Sequence, residues 1–220
     1  MTTRWQPTGR TALVTMSLAA LAFLPPCRGW LEASMLTHML VQIPLLLLAG
    51  MAMAVFMERA TVGSMKACAD LLPSQSNASP RWNAHGLTGL FYALVTLGFW
   101  MTPVALDHAV ASAGWDIAKA VSLLAAGSAL RKSWAQAGGI IQAFFVGNTV
   151  WMTVVVGILF QELPQRLCNA YLQDDQNDTG MIMVCAASVI GLFWTIRLAV
   201  QLHRESAEAV TNPGVITHEI

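Results

Sequence analysis

Histidine and methionine side chains occur close together within apolar stretches of this sequence. Met35 and Met39 flank His38, and a second histidine, His108, directly follows Asp107 much later in the chain. Polar groups inside a membrane are costly unless they are paired, so such residues are the first candidates for function. Thioether sulfur and imidazole nitrogen are ligands that suit Cu(I). The residue types therefore predict copper chemistry.

The predicted ligands lie in several separate stretches that must converge at one depth of a helix bundle. We expect a metal site built from His38, Met35, Met39, His108, Met181 and Met183. Asp107 and Asp116 are expected to hold the imidazoles in orientation through hydrogen bonds. His38 and His108 also meet the minimum requirement for a b-type haem with two axial histidines, so haem is an alternative cofactor. A third alternative is a protein without a cofactor.

The composition shows what kind of element must position these residues. Of the 220 residues, 55% are apolar and only 11% are charged, whereas soluble domains carry about 25% charged residues. The 12 Lys and Arg residues balance the 12 Asp and Glu residues, which argues against a basic surface for nucleic acid. No nucleophile elbow, P-loop or HExxH motif supports an enzyme. The sequence therefore predicts a membrane protein.

Six apolar stretches are long enough to cross a bilayer, which takes roughly 20 residues. They predict an all-α, polytopic membrane helix bundle with six transmembrane helices, preceded by an N-terminus at 1–10 and followed by a tail at 203–220. The first span is interpreted as an uncleaved anchor. The fourth contains Asp116 and Lys119, which are three residues apart on one helical face and are expected to pair inside the bundle. The predicted spans are 11–26, 34–57, 87–106, 109–130, 139–160 and 179–202.

The distribution of basic residues predicts the orientation of the bundle. Of the 12 Lys and Arg residues, nine lie on the side of the two termini, two lie on the opposite side, and Lys119 lies within a span. Because basic residues concentrate in cytoplasmic loops, we expect both termini in the cytoplasm of a bacterial inner membrane. The segment 163–178 and a short turn at Asp107-His108 should then face outward, and membrane lipids should surround the bundle.

Several further residues have expected structural roles. Pro44 should kink the second span, because proline interrupts the helical hydrogen bonds. Gly138, Gly139, Gly147 and Gly157 should allow neighbouring helices to approach closely. Cys27 and Cys168 both fall on the outer side, where a disulfide between them is one possibility and free thiols are the other.

Two stretches resemble a known family. Met35-Leu36-Thr37-His38-Met39, followed by Pro44-Leu45-Leu46, and Asp175-Gln176 leading through Gly180 to Met183 are similar to motifs of the CtaG-like family. Its members are multi-span membrane proteins required to assemble caa3-type cytochrome c oxidases. The resemblance covers about residues 34–200. It implies a role in cytochrome c oxidase assembly, copper handling at the outer membrane face, and a larger membrane protein complex as partner.

The sequence also departs from the family pattern. The second histidine of the first motif is replaced by Val41 or Gln42, and apart from His108 the later histidine cluster is missing. A late glycine is replaced by Thr179 or Met181, and six spans are predicted where seven are usual. These differences imply either a reduced copper site or a site that has been lost, and the second case favours a cofactor-free accessory subunit.

Overall fold

The computed structural model describes residues 17, 25–68, 81–163, 167–168 and 170–211, and every regular element in this part is helical. A short first helix is followed by a long helical stretch that contains one π-helical turn, and a 3-10 helix precedes the remaining helices. The elements are α1 (Pro25–Glu32), α2 (Met35–Thr37), the π turn (His38–Gln42), α3 (Ile43–Cys68), the 3-10 helix (Arg81–Gly86), α4 (Leu87–Trp100), α5 (Pro103–Ala111), α6 (Ala113–Trp134), α7 (Gly139–Glu162) and α8 (Gln173–Thr211).

The prediction of six spans is wrong for the part of the chain that the structure describes. Three helical stretches there are long and apolar enough to cross a membrane: Met35–Glu58, Gly139–Glu162 and Gln173–Arg204. A fourth is possible if α4 and α5, which are bent by 74° relative to each other, together form one span. The first predicted span, 11–26, falls almost entirely outside the described residues. These apolar helices indicate a membrane protein.

The fourth predicted span, 109–130, does not qualify as an apolar helix. A break at Ser112 divides it between α5 and α6, and the acidic and basic side chains of Asp116 and Lys119 lower the apolarity of α6. Helix α6 packs against both α3 and α4, and Asp116 and Lys119 lie on its buried face. This interior position explains how α6 accommodates two ionisable residues that a lipid-facing helix excludes.

Two close helix crossings depend on glycine. A Cβ atom on Gly50 would collide with the carbonyl oxygen of Leu124, and one on Gly127 would collide with that of Leu47, so α3 and α6 approach through both glycines. Helices α7 and α8 cross where the backbones of Gly157 and Gly180 meet: a Cβ on Gly180 would lie 2.5 Å from the Gly157 carbonyl oxygen. Small residues permit this spacing, which improves helix packing in lipid.

The expectation for glycine is therefore confirmed at Gly157 and wrong at the other three positions. A Cβ on Gly138, Gly139 or Gly147 would have no neighbour within 4 Å. Gly138 and Gly139 lie at the start of α7, and Gly147 lies on an exposed face of that helix. A glycine in the sequence does not indicate which side of the helix meets a partner, and this explains the error.

Helices α7 and α8 expose most of their apolar side chains. Only 17% of the most apolar part of α7 and 11% of that of α8 is buried within the protein, compared with 50% for the stretch Met35–Glu58. Trp151 on α7 and Val189 on α8 are 69% and 68% exposed. Apolar side chains exposed along a whole helix are unfavourable in contact with water. The hydrocarbon chains of a bilayer would cover them.

Candidate functional site

The π turn at His38–Gln42 ends two residues before Pro44. Proline has no backbone N–H and its ring crowds the carbonyl one turn earlier, and a turn widened by one residue accommodates both effects. Ile43 donates its N–H to the carbonyl of His38 within this wide turn, and the kink that the sequence predicts at Pro44 stays a prediction. Wide turns of this kind often occur at functional sites. Here the turn directs two buried polar side chains, His38 and Gln42, into the bundle.

The start of α2 is fixed by a carboxylate from the first turn of α8, about 140 residues later in the chain. Asp175, in the first turn of α8, accepts hydrogen bonds from Ser34 Oγ at 2.8 Å and from Met35 N at 2.6 Å. The Ser34 hydroxyl also accepts from Leu36 N at 3.2 Å, as an N-cap residue does. These bonds hold α2 against α8 next to the π turn.

Lys119 is completely buried and joins α6 to the π turn. Its Nζ atom lies 2.9 Å from His38 Nε2 and donates to Gln42 Oε1 at 3.0 Å. It also lies 2.9 Å from Asp116 Oδ1, an ion-pair contact within α6. The pairing of Asp116 with Lys119 that their spacing predicts is thus confirmed.

Helix α1 supplies a second ion pair beside the first. Arg28 Nε donates to Glu32 Oε1 at 3.1 Å and lies 3.3 Å from Asp116 Oδ2, and Lys119 Nζ lies 3.9 Å from Glu32 Oε1. The hydrogen bond to Glu32 raises the pKa of Arg28, so the guanidinium stays charged. Two cations and two carboxylates therefore balance one another, which offsets part of the cost of burial.

Tyr171 completes the group from the segment that precedes α8. Its hydroxyl lies 2.7 Å from His38 Nδ1, and burial raises the pKa of this phenol, which stays protonated. A Lys119 ammonium has no acceptor, so His38 Nε2 accepts from it and the Nδ1–H group donates to Tyr171. We call the resulting group the polar junction: Arg28, Glu32, His38, Gln42, Asp116, Lys119 and Tyr171.

The structure brings three of the four predicted methionine ligands together. Met35, Met39 and Met183 are at most 3% exposed and belong to one buried cluster, which also contains Cys168 and Tyr171. Met181 is 53% exposed and lies outside this cluster. The side chains of Met181 and Met183 diverge because residues two apart on a helix project in directions about 200° apart.

The two predicted histidine ligands have different surroundings. His38 is fully buried, and both of its ring nitrogens have partners in the polar junction. His108 is exposed and stacks on Trp115 with ring centroids 5.1 Å apart. Among the described residues, no group of three or more His, Cys, Asp or Glu side chains is arranged to hold a metal ion.

The two carboxylates that were expected to orient the imidazoles also have different partners. Asp116 contacts the polar junction through Lys119 and Arg28, whereas Asp107 accepts a hydrogen bond from Ala170 N at 3.1 Å. Asp107 and His108 were expected in a turn, and this is wrong because both lie in α5, which begins with Pro103 in its first turn. The chain turns instead at Met101–Thr102 and at Ser112.

Cys27 and Cys168 are free thiols, so the structure supports the second of the two alternatives for this pair. Cys27 is exposed and Cys168 is buried. Burial raises the pKa of Cys168 to about 12, and the negative charge of Asp107 contributes. The Cys168 thiol, with Sγ 3.9 Å from the Pro103 carbonyl oxygen, therefore stays protonated at neutral pH.

Sequence reasoning missed three members of the polar junction, Arg28, Glu32 and Tyr171. Arg28 and Glu32 are four residues apart, a spacing that favours an ion pair on one helical face, but nothing in the sequence places α1 beside α6. Tyr171 is one of only two tyrosines in the chain. Its position just before the acidic start of α8 is the one sequence feature that could have suggested a role in a polar site.

Comparison of the chain with family models, curated proteins and solved structures gives no match. The resemblance to the CtaG-like family therefore stays a prediction based on the two quoted stretches.

Proposed function

We propose that this chain is an integral membrane protein that assists the assembly of a cytochrome c oxidase, as its resemblance to the CtaG-like family implies. One observation carries the proposal: the two stretches that hold the resemblance, far apart in sequence, contact each other. Asp175 of the second stretch accepts hydrogen bonds from Met35, the first residue of the first stretch, and from Ser34 directly before it. Residues that act together in one site need this proximity.

The proposed place of action is the outer part of the membrane. The excess of basic residues on the side of the termini favours a cytoplasmic location for both termini. In that orientation α1, the π turn and the segment before α8 lie toward the outer face, together with the polar junction. A membrane-embedded partner would then meet the apolar faces of α7 and α8 and the polar groups at their outer ends.

Of the copper-binding, haem-binding and cofactor-free versions of this role, the side-chain contacts favour the cofactor-free one. His38 cannot donate a lone pair to a metal while Nε2 accepts from Lys119 and Nδ1–H donates to Tyr171. The haem-binding version has even less support than the copper-binding one, because it also needs His108, which is exposed and stacked on Trp115. The polar junction then serves to hold α1, α6 and the start of α2 in one arrangement that the partner recognises.

Copper handling has one specific observation in its favour. Met35, Met39 and Met183 share a buried cluster with Cys168, and sulfur is the donor that Cu(I) prefers. A copper site would therefore use thioethers from α2, the π turn and α8. His38 would join only after the Lys119 ammonium had moved away from Nε2.

The test is purification of tagged protein from its own bacterial membrane in mild detergent. We expect a cytochrome oxidase to co-purify, detected by haem absorption and by mass spectrometry, and oxidase activity to fall when the gene is deleted. Metal analysis of the same sample distinguishes the copper-binding and cofactor-free versions. A sample without copper supports the cofactor-free version. Stoichiometric Cu(I) that is lost in the Met35→Leu variant supports the thioether site. Unchanged oxidase activity after deletion would contradict the proposal.

A matched pair of variants tests the observation that carries the proposal. Asp175→Asn weakens the contact between the two stretches, whereas Asp174→Asn changes the neighbouring exposed carboxylate by the same chemistry. We expect Asp175→Asn to lower the yield of co-purified oxidase and Asp174→Asn to leave it unchanged. Equal effects of the two substitutions would mean that the contact has no special role.

A further inference from the structure

The groups around Lys119 suit an ammonium cation. Its Nζ atom forms hydrogen bonds with two acceptors, His38 Nε2 at 2.9 Å and Gln42 Oε1 at 3.0 Å, and an ammonium donates through its N–H groups. Asp116 Oδ1 lies 2.9 Å from Nζ as an ion-pair partner without forming a hydrogen bond. Glu32 Oε1, at 3.9 Å, adds further negative charge.

The dimensions of this arrangement suit an ammonium better than a transition metal. Separations near 2.9 Å are those of N–H hydrogen bonds, whereas bonds from zinc to nitrogen and oxygen ligands measure about 2.0–2.2 Å. Two carboxylates, Glu32 and Asp116, and one guanidinium, Arg28, surround the Lys119 head group. Without the lysine this group has a net negative charge, which favours the binding of a cation.

We propose that these acceptors form a binding site for a primary ammonium cation, and that Lys119 fills it as a ligand tethered to α6. The hydrogen-bond acceptors come from the π turn and the carboxylates from α1 and α6, so the cation joins the π turn to α6 and adds to the Arg28–Asp116 ion pair that links α1 to α6. This inference is independent of the role in oxidase assembly. It implies that removal of the lysine side chain turns the protein into a receptor for small alkylammonium ions.

The test is chemical rescue of Lys119→Ala by n-propylammonium. Alanine retains the Cβ atom, and propylammonium replaces the three methylene groups and the ammonium that the substitution removes. We expect the Tm of the purified variant in detergent to be lower than that of the wild type and to rise saturably with n-propylammonium. The wild type should show no such rise, because its site is already filled.

Two controls test the recognition of the N–H groups. Tetramethylammonium has the same charge and no N–H donor, so we expect it to leave the Tm of Lys119→Ala unchanged. The double variant His38→Ala/Lys119→Ala lacks one acceptor and should respond several-fold less to n-propylammonium. An equal response to both cations, an equal response of the double variant, or no response of Lys119→Ala would overturn the proposal.

A second variant tests the proposed ammonium site if Lys119→Ala does not fold. Lys119→Arg keeps the positive charge, but a guanidinium spreads its N–H groups in a plane and cannot direct them from one nitrogen to both His38 Nε2 and Gln42 Oε1. We expect the Tm of Lys119→Arg to fall below that of the wild type, toward that of the uncharged Lys119→Met. A Tm equal to that of the wild type would show that charge alone suffices and would overturn the ammonium site.

Discussion

Met35 and Asp175 are joined by a hydrogen bond of 2.6 Å between the backbone nitrogen of the first and a carboxylate oxygen of the second. The bond links the first residue of α2 to the first turn of α8. A charge-assisted bond to a backbone N–H is stronger than a neutral one, and the negative charge lies at the positive end of a helical stretch. Asp175 therefore acts as a helix cap supplied by a distant part of the chain.

We expect Asp175→Ala to destabilise the folded protein by about 0.5–2 kcal/mol, the usual cost of losing a helix cap. Two donors, Ser34 Oγ and Met35 N, lose their shared acceptor. Thermal unfolding in detergent measures the change as a lower Tm. Asp174→Ala is the matched control, because Asp174 is exposed on the same turn of α8, and an equal loss of stability in both variants would contradict the capping role.

His38→Ala should be more harmful than His108→Ala. His38 accepts from Lys119 and donates to Tyr171 within the protein interior, and leaving buried polar groups without partners costs about 1–3 kcal/mol. His108 is exposed, so its removal should change stability little. Thermal unfolding of the two variants side by side checks the difference, and similar Tm values would show that the polar junction contributes nothing to stability.

The local features of this fold could be predicted from sequence because they depend on neighbours along one helix. The spacing of Asp116 and Lys119 predicts an ion pair that the structure contains. The predicted span 34–57 is close to the observed stretch Met35–Glu58, because uninterrupted apolarity indicates a membrane helix. Met35 and Met39 share a cluster because they lie four residues apart in one helical stretch.

The contacts between elements could not be predicted, because a single sequence does not reveal how each helix is rotated relative to its neighbours. The proximity of Tyr171 to His38 and of Arg28 to Asp116 depends on how α1, α6 and the segment before α8 pack. His38 and His108 were expected to meet in one site, and the structure gives them different surroundings, with His38 buried and His108 exposed. Both were expected at one depth, but depth does not fix the direction in which a side chain points.

Substituting alanine at the crossing of α7 and α8 should separate these helices. A Cβ on Gly180 would lie 2.5 Å from the Gly157 carbonyl oxygen, and overpacking of this kind typically costs about 1–3 kcal/mol. We expect Gly180→Ala to lower the Tm. Gly147→Ala should leave it unchanged or raise it, because nothing lies within 4 Å of the added carbon and alanine favours helix. Equal Tm values for the two variants would contradict the close crossing.

The predicted orientation can be tested with reporter fusions. In the topology predicted from the sequence, nine of the 12 Lys and Arg residues lie on the side of the termini, so the positive-inside rule predicts a cytoplasmic C-terminus. A fluorescent protein fused after residue 220 should therefore fluoresce, and alkaline phosphatase fused at the same place should be inactive. Active phosphatase would reverse the proposed orientation and would place the polar junction near the cytoplasmic face.

The Cys168 thiol should become reactive only at high pH. Its pKa is raised to about 12 by burial, and the thiolate is the form that attacks alkylating reagents. At pH 8 we expect iodoacetamide to modify the exposed Cys27 much faster than Cys168. The difference between the two alkylation rates should become smaller as the pH rises. Mass spectrometry of peptides measures both rates in one sample.

The same shift should make the folded protein less stable in alkali. An unfolded cysteine ionises near pH 8.5, whereas the folded chain keeps the Cys168 proton up to about pH 12. Between these values the unfolded chain binds fewer protons, so the free energy of unfolding contributed by this group falls as the pH rises. Cys168→Ala removes the group and should flatten this part of the pH profile. An unchanged slope in that variant, or rapid alkylation of Cys168 at pH 8, would show that the thiol is accessible to water.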